Sequence, residues 1–276
     1  AAMMSSGVRF YSAQEFFRIA ELDFKTVPRF PVFHIPHDGW EFPKELMQSV
    51  CVPLDLFMKY HEEMRDTDIS RVIPNAYYGG DMSHTFTISR LLCDVERFIG
   101  PEEIMERYGM GFCYEKAYDG TVIKQVDKAL KEKTRSYYWK HHEGMDNICR
   151  RHPRILLFDL HSYSDQIIPA DFLREDRPTP DLCIGTDNRF TPSELTEIVR
   201  KRFLEAGFTI CLNDPYSGCY IPNTVLSGKS KTDLVAIMLE FHKRTYCDQK
   251  GHLVQEKAKG IEDVIHQIIV DCVTLG

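Results

Sequence analysis

Short apolar runs that stop at polar, proline- or glycine-bearing turns recur along this chain. Phe30-Pro31-Val32-Phe33-His34-Ile35-Pro36 reads as a buried strand over 30–36. Pro36 ends its pairing because it has no N–H, and Gly39 permits a turn just beyond. Ser12 to Asp23 reads as a helix with Ser12 as N-cap and Glu15 completing a capping box. From Pro43 to about Met64 the spacing of Leu46, Val50, Leu54, Phe57 and Met58 is helical, and Pro53 is expected to split it. Thr85 to Arg97 alternates and predicts one or two strands, and residues 99–121, with four glycines, predict a long loop. Residues 122–151 form the longest helical pattern. Arg154 to Leu160 is a continuous apolar run, as in a strand covered on both faces. Residues 163–190 read as loop, Thr191 as the N-cap of a helix with Pro192 at its first position, Phe208–Leu212 and Leu234–Phe241 as strands, and 254–274 as a closing helix. The alternation predicts an α/β fold, a single domain over 8–276 with a mixed, largely parallel sheet flanked by helices on both faces, and residues 1–7 as a flexible tail.

Composition narrows the function classes. The 276 residues are 43% hydrophobic and 27% charged with a formal charge of −7, so no general electrostatic case exists for nucleic acid. No apolar run approaches the roughly 20 residues that span a bilayer. The first seven residues lack the basic and apolar regions of a signal peptide. The nine cysteines contain no Cys-x-x-Cys pair, which argues against a structural zinc knuckle and for reduced, buried thiols in a cytoplasmic protein.

Polar groups then gather at strand ends. His37 follows the first strand. In Phe158-Asp159-Leu160-His161-Ser162, Asp159 and His161 lie two apart and share a strand face. Two strand-end histidines suit a metal such as zinc, whose catalytic sites take three protein ligands and a water. The acidic pair Asp66 and Asp68 offers a third ligand, and Glu41 is a rival. His34, on the opposite strand face from His37, is left to packing or support. Arg97 follows an apolar stretch and can grip a carboxylate bidentately. Glu240, inside an apolar strand, is a desolvated carboxylate with the raised pKa that suits a general base. Asn213, Tyr216 and Tyr220 lie in a Pro/Gly turn after a strand and suit orientation of a polar substrate.

The ordered set Ile35-Pro36-His37-Asp38-Gly39, Asp68, Asp94-Val95-Glu96-Arg97, Asp159-Leu160-His161-Ser162, Asn213 to Tyr220 and Leu239-Glu240 resembles the N-formylglutamate amidohydrolase family, distant relatives of zinc carboxypeptidases, over about residues 30 to 250. The resemblance implies a zinc carboxypeptidase-like fold and hydrolysis of the amide of an N-acyl acidic amino acid, such as N-formyl-L-glutamate to formate and glutamate. It implies one zinc or other divalent ion on His37, Asp68 and His161, Glu240 as base and acid, and Arg97 as carboxylate binder. A small N-acyl amino acid is then the partner, with no role for nucleic acid or membrane. The sequence departs from the family at Asp38, where members often carry Ser or Ala, and at Glu96, where several carry Asn.

Overall fold

A central sheet in the order β2-β1-β3-β6-β4-β5 organises the computed structural model, which describes residues 27–272 and 275–276. The strands are β1 (Phe30–Ile35), β2 (Ser83–Thr85), β3 (Arg154–Tyr163), β4 (Leu182–Gly185), β5 (Ile210–Leu212) and β6 (Asp233–His242). β2, β1, β3 and β6 run parallel, β4 is antiparallel to β6, and β5 is parallel to β4. This is the mixed, largely parallel sheet that the patterning predicts. The helix expected over Ser12–Asp23 lies outside the described residues.

The two faces of the sheet follow from the period of two. Leu156, Phe158 and Leu160 of β3 join Phe33, Ile35, Val235, Ile237 and Leu239 in one core. Helices α4 (Ser193–Glu205) and α5 (Gln255–Cys272) cover it through Leu195, Val199, Ile261 and Ile265. Ile155, Leu157, Val32 and Ala236 point the other way, onto Met145, Ile148 and Cys149 of α3 (Lys128–Arg151). Each such fully buried aliphatic side chain stabilises the fold by about 1.5–3 kcal/mol. The α3 face is apolar only at its start: further along, β1 turns to His34, β3 to Asp159 and His161, and β6 to Glu240. All four side chains are buried.

Some elements differ from the patterning. The predicted helix from Pro43 is two, α1 (Lys44–Met47) and α2 (Leu54–Met64), with Pro53 at the N-cap of the second, as expected from its missing N–H. Thr85 to Arg97 is not one or two strands: after β2 ends at Thr85 the chain is mainly turns, and Leu91, Leu92 and Val95 are apolar because they pack in a second core with Phe57, Phe112 and Tyr114. Strand β4 lies within the stretch expected to be loop, because the flanking polar and proline residues hide four buried residues. Thr191 does not cap α4. Pro192 holds that position, while the Thr191 hydroxyl donates to Ala236 O at 2.6 Å. α3 begins at Lys128, where the Asp127 side chain accepts from Leu130 N–H at 2.7 Å. No described helix is long and apolar enough to cross a membrane.

Candidate metal and catalytic site

Register builds the site. β1 sets His34 opposite Asp159, and β3 sets His161 opposite Glu240 on β6. Beyond β1, Pro36 releases the chain, and Gly39 lets it turn against the next segment. A Cβ at Gly39 would meet Ile88 O at 2.4 Å, so only glycine allows this approach. The turn leaves His37 at the carboxyl end of the sheet, 4% exposed.

Asp66, and not Asp68, joins the two histidines. Its backbone N–H donates to His37 O at 3.0 Å. Asp66 Oδ2 then lies 3.6 Å from His37 Nδ1 and 3.3 Å from His161 Nδ1. Asp68 turns away at a left-handed φ of 56°, its N–H donating to Asp38 Oδ1 at 3.0 Å. The geometry therefore favours Asp66, two residues before Asp68, as the candidate third ligand. Asp38 explains the geometry: it takes N–H groups from Asp68 and Ser70 and pairs with Arg65 at 2.7 Å, so it clamps the loop that presents Asp66. Burial pushes the Asp38 carboxyl up to about 6 against the opposing pull of Arg65. Glu41, the other rival, is exposed and accepts from the Thr87 hydroxyl at 2.9 Å.

Both imidazoles are held from behind by a carboxylate. The His37 ring donates from Nε2 to Asp94 Oδ1 at 2.7 Å, and His161 Nε2 lies 3.1 Å from Asp159 Oδ1. Each ring therefore turns Nδ1 toward Asp66. One ligand atom each from His37, Asp66 and His161 fall within 4.8 Å of one another. Both Asp66 oxygens are buried and find no hydrogen-bond donor among the described residues. A buried, unsatisfied carboxylate costs several kcal/mol, which a bound cation offsets. Two imidazole nitrogens and a carboxylate are an ordinary donor set for zinc and for other first-row divalent ions. The residues present thus fit a metal. Burial would raise the Asp66 pKa, but the two imidazoles hold it below the usual carboxylate range.

A cavity of about 480 Å³ opens over this trio. Glu240 lines it, and burial first, with Asp66 and Asp159 adding, pushes its carboxyl up to about 8 against the pull of His161 and Arg90. Arg97 and Arg90 also line it. Arg97 donates from Nε to Met110 O at 2.9 Å and Arg90 from Nη1 to Met64 O at 3.1 Å, so backbone carbonyls fix both guanidinium groups. Asp94 and the Tyr114 hydroxyl sit between them. Tyr216 lines the cavity. Tyr220 stands behind it, its ring stacked 4.1 Å from that of His34 and its hydroxyl 3.0 Å from His142 Nδ1. Asn213 is outside: its side chain accepts from Thr186 and Gly218 N–H groups and closes the turn after β5. The loop over 99–121 supplies Glu102, Ile104, Met105 and Met110 to the lining, to which Ile167, Pro169 and Phe172 also contribute.

Arg90 was missed because it stands in a stretch that patterns as strand. Asp94 and Asp159 were visible beside Arg97 and His161, but their pairing with the histidines depends on tertiary contacts.

Known proteins match at the level of fold and of family. A crystal structure of N-formylglutamate amidohydrolase from Ralstonia eutropha JMP134 aligns with a TM-score of 0.67 at 17% identity, over 89% of this chain and 95% of that one. Partial matches reach a zinc-free apo form of YNDL, with TM-score 0.30 and 17% identity over 45% of this chain and 57% of that one. They also reach a bacteriophage poly-gamma-glutamate hydrolase, with TM-score 0.23 and 12% identity over 44% of this chain and 56% of that one. No curated protein sequence matches the chain. The family model described as N-formylglutamate amidohydrolase matches residues 31–247, and the chain belongs to that family.

Proposed function

We propose that the protein is a metal-dependent amidohydrolase that cleaves N-formyl-L-glutamate, or a closely similar N-acyl acidic amino acid, to the carboxylic acid and the free amino acid. The observation that carries this reading is the buried trio His37, Asp66 and His161 with the high-pKa carboxyl of Glu240 lining the same cavity. The activity itself comes from family membership.

When bound on His37, Asp66 and His161, a divalent ion such as zinc supplies Lewis acidity that polarises the scissile carbonyl and acidifies a water. Glu240 takes a proton from the attacking water and delivers it to the leaving nitrogen as the C–N bond breaks. Its desolvated pocket keeps the proton affinity high enough for the second transfer. Arg97 and Arg90 hold the substrate carboxylates, and their backbone contacts keep the forks fixed before substrate arrives. Tyr216 closes one side and helps exclude water.

A second reading rests on the cavity. Its volume of about 480 Å³ and the exposed Phe98 and Ile104 near its loop wall leave space for a larger acyl group or a peptide. A metal-free binding role is disfavoured by the buried Asp66 carboxylate, whose oxygens make no hydrogen bond among the described residues and have only ion-pair partners at 3.3–3.8 Å. Product release from N-formyl-, N-acetyl- and longer N-acyl-L-glutamates, and from dipeptides, separates the readings. The primary one expects the formyl substrate to be fastest. Equal rates across the series favour the broader deacylase, and no hydrolysis of any of them by zinc-loaded protein rejects both.

A further inference from the structure

A file of buried groups lies behind His161 and takes no part in the steps above. Asp159 Oδ1 is 3.1 Å from His161 Nε2 and 3.0 Å from His34 Nδ1, and its Oδ2 accepts the Tyr220 N–H at 3.0 Å. His34 Nε2 lies 2.8 Å from Nε2 of His141 on α3. His84 packs against this end, its Nε2 donating to the His141 carbonyl at 2.8 Å. At Gly144, also on α3, a Cβ would meet the His84 ring at 2.6 Å, so the helix approaches the histidines as closely as it does only through glycine. His34, Asp159 and His141 are 0%, 1% and 5% exposed.

A neutral imidazole carries one ring proton. With that proton on Nε2, facing Asp159, the Nδ1 lone pair of His161 is left to face Asp66. We propose that Asp159, gripped by His34 and through it by His141, is a positioning residue that fixes His161 in the orientation and tautomer presenting Nδ1 to the metal. The inference rests on the metal site proposed above. His34, Glu96 and Asp159 also bring donor atoms within 4.8 Å of one another. Asp159 is already engaged with three ring or backbone nitrogens, however, so this group reads as support for the neighbouring site.

The test measures zinc affinity by competition with a chromophoric chelator, and the visible spectrum of the cobalt(II)-loaded protein, for wild type, Asp159→Asn and His34→Gln. Circular dichroism and thermal unfolding of the metal-free proteins control for the fold. Asp159→Asn is expected to weaken zinc binding by about 10–100-fold and to alter the cobalt bands, with a smaller change of the same sign in His34→Gln. Should Asp159→Asn not fold, His34→Gln decides. Zinc binding within about twofold of wild type, with an unchanged cobalt spectrum in whichever variant folds, overturns the positioning role alone. A wild-type protein that binds no zinc overturns the metal site and the positioning role together.

Discussion

Replacing Glu240 by glutamine tests the proposed proton-transfer role of this residue and its environment in one variant. The carboxyl is pushed up to about 8 from an ordinary 4.5 by burial, reinforced by Asp66 and Asp159. In the metal-free protein the folded state therefore holds this proton over a range where the unfolded chain has released it. Stability from this group is full below the unfolded pKa and is lost as pH rises from about 4.5 to about 8, at about 1.4 kcal/mol per pH unit. Glutamine has no such proton. Between about pH 5.5 and about pH 7.5 the unfolding free energy of Glu240→Gln should shift relative to wild type by about 3 kcal/mol in the variant's favour. Urea denaturation of both metal-free proteins at the two pH values reads this shift. In the zinc-loaded enzyme the same change should lower kcat by about 10²–10⁴-fold, the usual contribution of a positioned general acid–base. Equal stability differences at both pH values would refute the desolvated environment. A variant that keeps most of its kcat would refute the catalytic role.

Asp66→Asn keeps the shape but removes the charge from the trio, and should weaken zinc binding by more than the roughly 10–100-fold typical of supporting groups; chelator competition measures it, and wild-type affinity would return the assignment to another carboxylate. Gly39→Ala forces a Cβ to within 2.4 Å of Ile88 O and should destabilise the fold by about 1–3 kcal/mol in thermal or denaturant unfolding. His61 has its pKa lowered to about 4 by burial, with Arg65 and Lys243 adding, and its ring contacts the Ser89 hydroxyl at 2.8 Å. Because the folded pKa lies below the unfolded 6.5, stability from His61 is present above 6.5 and is lost as pH falls toward about 4. Wild type should therefore lose stability relative to His61→Gln over that window, and parallel pH profiles of the two would contradict this environment.

The sheet was legible because its central strands announce themselves. β3 and β6 are apolar runs buried on both faces, and their polar residues fall on one face by the period of two. His37, His161 and Glu240 stood out as candidates because each interrupts or ends such a run. The choice between Asp66 and Asp68 was not legible. It depends on a left-handed residue at 68 and on Asp38 reaching across to two backbone N–H groups, neither of which has a periodic signature. Asn213 is ambiguous for a related reason: an amide after a strand serves equally to close a turn, and here its side chain accepts the N–H groups of Thr186 and Gly218. Arg90 was hidden because the apolar residues around it pack in a separate core cluster and not on a pleat.

The most direct test is a metal titration of formate release from N-formyl-L-glutamate. Protein stripped by a chelator should be inactive and should regain activity linearly up to about one equivalent of zinc, with His161→Ala inactive throughout. Full hydrolysis by the stripped protein, with no dependence on added metal, would contradict the assignment of His37, Asp66 and His161 as the metal site on which the mechanism depends.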